Sequence, residues 1–355
     1  MAISKIPSAG FQDNVKFRNL IINGSMDLAQ RSTSVASITS NGYYTVDRFD
    51  IDLNTLGTWT QSQSTDVPTG QGFAKSLKFD CTTADASPAA GDKLFLEQAI
   101  EGQNLQYLKK GTSSAESLTL SFWVKTNKTG IYTLELEDKD NTRSFSQTYT
   151  VSSADTWEKK TLTYSGDTTG ALDNDNGVSL KCNFWLGAGS NFTSGTFQNS
   201  WGSKTAANRV SSSQVNLADS TSNEWYITGT ASDFEFLPVD VNKNRCLRYC
   251  FKHGGEASTQ YLNAQGGYYD ANYIAFGLVS PPVPMRSAPS LTVNGTVIVH
   301  RLNTDYTGWT WGFISGVQSQ SWFVSANKSS HGVTAQHSLI KCATTSDFFI
   351  YDSEL

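Results

Sequence analysis

Apolar and polar residues alternate over short runs along the whole chain, most clearly in Ser117-Leu-Thr-Leu-Ser-Phe-Trp-Val-Lys-Thr126. A strand turns successive side chains to opposite faces. Leu118, Leu120, Phe122 and Val124 therefore share one side, and Thr119, Ser121, Trp123 and Lys125 the other. This predicts an antiparallel strand with one face in a core. Leu180, Cys182, Phe184 and Leu186 repeat the pattern, with Lys181, Asn183 and Trp185 between them. Each run puts an indole on the face away from the core, so Trp123 and Trp185 are expected to share one surface. Flat indoles flanked by amide and hydroxyl groups suit a sugar, whose C–H faces stack on rings while its hydroxyls seek directional partners. Trp123, Trp185 and Asn183 are the candidate glycan contacts. Cover by a second layer or a partner subunit is the alternative for these indoles.

Similar runs at 75–79, 94–100, 131–137, 144–151, 158–164 and 225–228 are separated by turn signals such as Asn23-Gly24, Asn41-Gly42 and Asn127-Lys-Thr-Gly130. Many short strands between such turns predict an all-β sandwich. Residues 103–108 form the one plausible helical turn. Leu237-Pro238-Val-Asp-Val-Asn242 reads as a junction, beyond which runs at 296–300, 309–314, 321–324 and 348–351 predict a smaller C-terminal β-sandwich. The proline-rich stretch from Val279 to Pro289 cannot donate to a central ladder and should follow an edge or cross between sheets. Residues 1–16, small and polar without periodicity, read as an extended N-terminal arm suited to attachment to a larger assembly. The expected domains are thus 1–16, 17–238 and 239–355. No repeat of fixed period appears, which argues against a solenoid.

Composition narrows the function. Of 355 residues, 38% are hydrophobic and no run approaches the roughly eighteen apolar residues of a spanning helix. The N-terminus lacks the apolar core of a signal peptide, so synthesis in a cytoplasm without membrane insertion is expected. Charged residues are only 17% and aromatic residues 12%, a balance seen in β-rich binding surfaces. A net charge of −5 without a basic cluster argues against nucleic acid. Cys81, Cys182, Cys246, Cys250 and Cys342 are odd in number and lack zinc-ribbon spacing, which fits reduced thiols. Cys182 reads as core. Cys246 and Cys250, four apart, would stand about 13 Å apart on a strand, too far for a disulfide.

Catalytic signatures are missing: there is no nucleophile elbow, Walker loop, zincin helix or dinucleotide fingerprint. His253, His300, His331 and His337 are scattered. Glu135 and Glu137 would lie on one strand face about 7 Å apart, within the carboxylate separations of glycosidases, but solvated strand carboxylates share that spacing. Asp173-Asn-Asp-Asn-Gly177 has the oxygen-rich composition of a calcium loop, yet its glycine falls at position five and no Glu closes it. A plain turn is expected there, with a structural calcium as the alternative; no other cofactor is expected.

The order Asn19-Leu-Ile-Ile-Asn-Gly24, Leu118-Thr-Leu-Ser-Phe-Trp-Val-Lys125, Thr156-Trp-Glu158 and Trp225-Tyr-Ile-Thr-Gly229 is similar to carbohydrate-binding modules of the galactose-binding jelly-roll type. That resemblance spans about two thirds of the chain. Asn23-Gly-Ser-Met26, Asp47-Arg-Phe49, Gln98-Ala-Ile-Glu-Gly102, Cys246-Leu-Arg-Tyr249 and Pro282-Val-Pro-Met-Arg-Ser-Ala-Pro289 resemble tail-fibre and related virion proteins of bacteriophages, especially of marine cyanobacteria. The resemblance implies a jelly-roll domain in a non-enzymatic, homotrimeric virion fibre. Its arm would join other virion proteins, and its sandwiches would adhere to host surface glycans. It also implies aromatic contacts on a sheet face, a role that Trp123 and Trp185 match by alternation. The run from Gly229 to Phe236 departs from the expected pattern after its strand. A structural head-fibre, decoration or baseplate component without glycan binding is the alternative, and a polysaccharide depolymerase the third reading.

Overall fold

The computed structural model describes all residues except 1–18, 232–236, 258, 271, 302–303, 315–316 and 330–337. The arm at 1–16, His331 and His337 lie outside the described residues, as does the chain exit after Gly229 over 232–236. The chain divides into two compact units, Met1–Leu237 and Pro238–Leu355.

The first unit is a jelly-roll β-sandwich of two six-stranded antiparallel sheets. Its strands are β1 (Ser34–Ile38), β2 (Asp50–Asn54), β3 (Thr58–Ser64), β4 (Ser76–Thr83), β5 (Lys93–Glu101), β6 (Leu118–Thr126), β7 (Gly130–Asp138), β8 (Arg143–Val151), β9 (Glu158–Tyr164), β10 (Val178–Ala188), β11 (Gly202–Ser203) and β12 (Glu224–Ala231). The front sheet runs β1-β3-β4-β12-β6-β9 and the back sheet β11-β8-β7-β10-β5-β2. The run at 103–108 forms two single 3-10 turns, Gly102–Asn104 and Gln106–Leu108.

The alternating positions meet between these sheets. Phe122 of β6 touches Phe184 of β10 edge-on at 5.2 Å, and Trp225 of β12 lies tilted against Phe184 at 6.4 Å. Leu120, Val124, Leu180, Cys182 and Leu186 are buried around them. Each large ring removed from water here contributes on the order of 1.5–3 kcal/mol, which fixes the register, since a one-residue slip would expose every one of them. All five cysteines are free and buried, and burial pushes the Cys182 thiol up to about 12.

Three of the motifs that carry the virion-protein resemblance converge in this unit. The side-chain amide of Gln98 bonds both the N–H (2.7 Å) and the carbonyl (3.0 Å) of Ile22. Asn23 Nδ2 donates to the carbonyls of Leu28 and Asp47, Asp47 accepts from Gln30, and Arg48 donates to the Ala99 carbonyl at 2.7 Å. Segments far apart in sequence are tied by buried, directional bonds. These motifs hold the fold.

The second unit opens with a helix, Val239–Leu247, where the sequence reading has no element. Cys246 sits on that helix and Cys250 on the strand that follows, so the pair shares neither a strand nor a helix face. Two sheets face each other. The smaller has β13 (Cys250–Gly254), β22 (Phe348–Asp352) and β16 (Ser290–Asn294), with β22 in the middle. The larger runs β18 (Thr304–Tyr306), β17 (Val297–Arg301), β21 (Ser338–Cys342), β14 (Gln260–Asp270), β15 (Tyr273–Val279), β20 (Trp322–Asn327) and β19 (Thr310–Phe313). The proline-rich stretch leaves β15 of the larger sheet and enters β16 of the smaller one. Arg286 N–H donates to the Arg248 carbonyl at 2.7 Å, and the Arg286 guanidinium reaches the carbonyls of Ser353 and Glu354. The two remaining resemblance motifs thus also meet.

Candidate functional site

The two sequence-predicted indoles stand on different sheets, Trp123 on the front and Trp185 on the back. The expected shared surface does not exist, because β6 and β10 pack face to face and turn their outward positions in opposite directions.

On the back sheet the outward row Glu97, Asn183, Glu135 and Ser146 crosses β5, β10, β7 and β8 in register. Trp185 and Asn183 are nevertheless fully buried, because residues 189–216, between β10 and β12, fold back over this face. That excursion includes a single helical turn, Ser190–Thr193, and β11, which pairs with β8. Trp185 is held between Phe95 (4.6 Å) and Phe192 (5.4 Å), with the Arg209 guanidinium 4.9 Å from its ring. Its indole N–H and the Asn183 amide both donate to Glu135. Neither can stack on a ligand, which corrects their placement among the glycan contacts.

Arg209 pairs with Glu135 at 2.8 Å through both Nε and a terminal nitrogen, and with Glu137 at 3.2 Å; Lys204 adds 2.7 Å to Glu137. Burial pushes the Glu137 carboxyl up, but the Lys204 hydrogen bond and the Arg209 charge outweigh it and hold it at about 2. At Glu97 burial wins instead and holds the carboxyl above its ordinary range against the opposing charge of Lys181. A glycosidase acid must hold a proton near neutrality, and Glu137 does not. Glu135 and Glu137 instead anchor the excursion.

The front sheet carries no such cover over β6, β9 and β12. Trp123 is half-buried between Thr228 of β12 and Lys159 of β9 in the ladder. One step along, Lys125 lies opposite Tyr226, its Nζ 4.5 Å from that ring and 6.0 Å from the ring of Trp157. Trp157 and Tyr226 meet edge-on at 6.1 Å. Asp66 accepts from the Trp157 indole at 2.9 Å and pairs with Lys125. Its partial burial acts upward, and those two hydrogen bonds outweigh it to hold the carboxyl below its usual range. Lys78 bridges Asp80 and Glu224 at 2.8 Å each, and Tyr226 Oη donates to Glu224 at 2.6 Å. The half-buried Trp123 and Trp157 and the buried Tyr226 therefore sit among mutually paired charges, with Lys159, Thr161 and Thr163 exposed beside them and Thr119, bonded to Thr163, half-buried. Such a surface offers stacking faces and hydroxyl-matching groups with no net pull on an ion.

Trp157 and Tyr226 were missed by the sequence reading, yet parity could have found them. Tyr226 alternates with the core residues Trp225 and Ile227, and Trp157 shares its parity with Lys159 and Thr161. Elsewhere, Asp173-Asn-Asp-Asn-Gly177 is a turn in which Asp175 accepts from Gly177 N–H at 2.8 Å. Among the described residues no cluster of His, Cys, Asp or Glu is placed to hold a metal ion. His253 stacks on Phe251 at 5.5 Å, and His300 pairs with Asp305 at 2.5 Å.

No family model matches the chain, and no curated protein matches it. Solved structures do. The enzymatically active domain of tailspike protein 4 of bacteriophage CBA120 is 15% identical over 61% of this chain and 21% of its own, with a TM-score of 0.32. A family 4 carbohydrate-binding module is 11% identical over 60% of this chain and 98% of its own, at 0.29. The tandem family 22 modules of a Paenibacillus barcinonensis protein, Xyn10C, are 10% identical over 94% and 96%, at 0.25. Likeness at this level assigns neither family nor ligand to the chain.

Proposed function

We propose that this protein is a non-enzymatic glycan-binding fibre of a bacteriophage virion, which adheres to host surface sugars through the front sheet of its first unit. The observation that carries the reading is the pair of half-buried indoles Trp123 and Trp157, on β6 and the approach to β9, backed by the buried Tyr226 of β12 among charges already paired with one another. Sugars stack on such rings, and paired neighbours spare a neutral ligand the cost of displacing water from a lone charge. The virion assignment rests on the sequence resemblance of the five motifs that tie the two units internally. A homotrimer would turn weak single contacts into useful avidity, and residues 1–16 would join it to other virion proteins. The ion-paired state of Glu137 supports adhesion over bond cleavage.

The deciding experiment measures binding of purified, size-characterised protein to intact candidate host cells before and after their surface polysaccharide is stripped. Saturable binding that disappears on stripping is expected. Absence of binding by a folded oligomer would transfer the assignment to a structural virion component whose front sheet is covered by a neighbour. Release of reducing ends from the polysaccharide would transfer it to a depolymerase.

A further inference from the structure

Lys110 follows the second 3-10 turn of the first unit, and its side chain is only 6% exposed. A lysine is seldom buried so far unless its charge is met. Four oxygens meet it. Asp138, at the end of β7, stands 2.5 Å from Nζ, and Asp167, in the loop between β9 and β10, stands at 3.0 Å. The carbonyls of Thr169 and Gly170, in the same loop, accept from it at 3.0 and 2.9 Å. Both carboxylates are closed to water, as buried as the ammonium they hold. Gly170 takes a left-handed φ of +74°, and a Cβ there would collide with Asn141, so the turn that offers this carbonyl is built on glycine.

An ammonium has three protons to donate, and here it has four oxygens around it. It therefore acts as a compact charge at the centre of an oxygen cage. Two carboxylates and two backbone carbonyls are the donor set of a hard metal ion, at distances that run from those of calcium, about 2.3–2.6 Å, to somewhat longer. Arg143 pairs with Asp167 from its other side at 2.7 Å, so two cations match two carboxylates. The ring of Trp201, from the excursion that covers the back sheet, lies 5.4 Å from Nζ, and its indole N–H donates to the Ser165 carbonyl at 2.8 Å. We propose that Lys110 is an internal cation: its ammonium fills a site that would otherwise take a calcium ion, and it joins β7, the loop between β9 and β10, and the cover without dependence on dissolved metal. This inference is independent of the glycan reading and of the front sheet.

The test uses the full chain and two readouts. In the first, lysines of the native protein are acylated by a water-soluble active ester and mapped by mass spectrometry. Lys110 should stay unmodified while its neighbour Lys109, whose side chain is 55% exposed, reacts. Equal rates at the two positions would overturn the proposal without any variant having to fold. In the second, urea midpoints are compared in about 10 mM calcium chloride, above the range of weak calcium modules, and in choline chloride of equal ionic strength, whose cation is too large for the cage. Lys110→Met keeps the stem without the charge and should lower the midpoint by about 1–2 M in both salts. Lys110→Ala empties the cage and should be low in choline but recover at least half of the loss in calcium. Native protein should give the same midpoint in both. A Met variant as stable as the native protein would overturn the proposal, as would an Ala variant indifferent to calcium, or native protein that calcium stabilises as much as the Ala variant.

Discussion

The two sheets of the first unit send indoles outward with the same parity, yet Trp123 remains at a surface while Trp185 is sealed. What separates them is the connection that follows. After β10 the chain spends residues 189–216 folding back over its own sheet, whereas the connections around β6, β9 and β12 leave the front face uncovered. The back face then carries Arg209, Glu135 and Glu137 as a buried ionic joint between sheet and cover. The front face carries its ion pairs in reach of water. Alternation therefore reports which way a side chain points, and a later loop decides whether it meets solvent.

Substitutions should widen that contrast. Arg209→Met removes the partner of two buried carboxylates, and unpairing a buried charge costs about 3–5 kcal/mol. Denaturant titration should show a loss of that order, with partial unfolding of the cover. Trp185→Ala should cost about 3 kcal/mol or more through the cavity left between Phe95 and Phe192. An unchanged midpoint in either variant would mean the cover does not depend on that joint. On the front face, Trp123→Ala with Trp157→Ala should leave the midpoint within about 1 kcal/mol, since surface changes are seldom larger. The same pair should weaken cell-surface binding by about 2 kcal/mol, roughly thirtyfold. An insoluble double variant would show that these rings are packed by a partner.

Acid acts more gently, through two carboxylates of the back sheet. Glu137 is held at about 2 when folded against an ordinary 4.5, so the stability it contributes is present above about pH 4.5 and is lost as pH falls toward 2. Glu97 works oppositely: its raised carboxyl contributes stability at low pH that is lost as pH rises through its folded value. Stability measured from pH 5 to pH 2 should therefore fall by at most a few kcal/mol, and Glu137→Gln should flatten that fall.

Much of the fold was legible. Strands β6 and β9 match their sequence-based bounds to the residue because strict alternation leaves one register. The helix Val239–Leu247 was not legible, since its buried residues, Asn242, Cys246 and Leu247, include a polar one and two adjacent ones, which blurs the helical period. Trp123 was placed on an outer face by alternation alone. Trp185 and Asn183 were misjudged because their burial depends on Arg209, Phe192 and Val210, which have no local relation to β10. Long-range cover leaves no trace in the period of the strand it covers.

Strand β12 lies between β4 and β6 at the centre of the front sheet, and β22 lies between β13 and β16. Each follows the other described strands of its own sheet in sequence and yet lies in its interior. During synthesis, neither sheet can acquire its full ladder until the end of its unit has left the ribosome, and the flanking strands meanwhile present unpaired edges. A message cut short within either unit would yield a protein lacking a central strand, open to chaperones and proteases. Finishing each unit is thus itself a checkpoint for its folding.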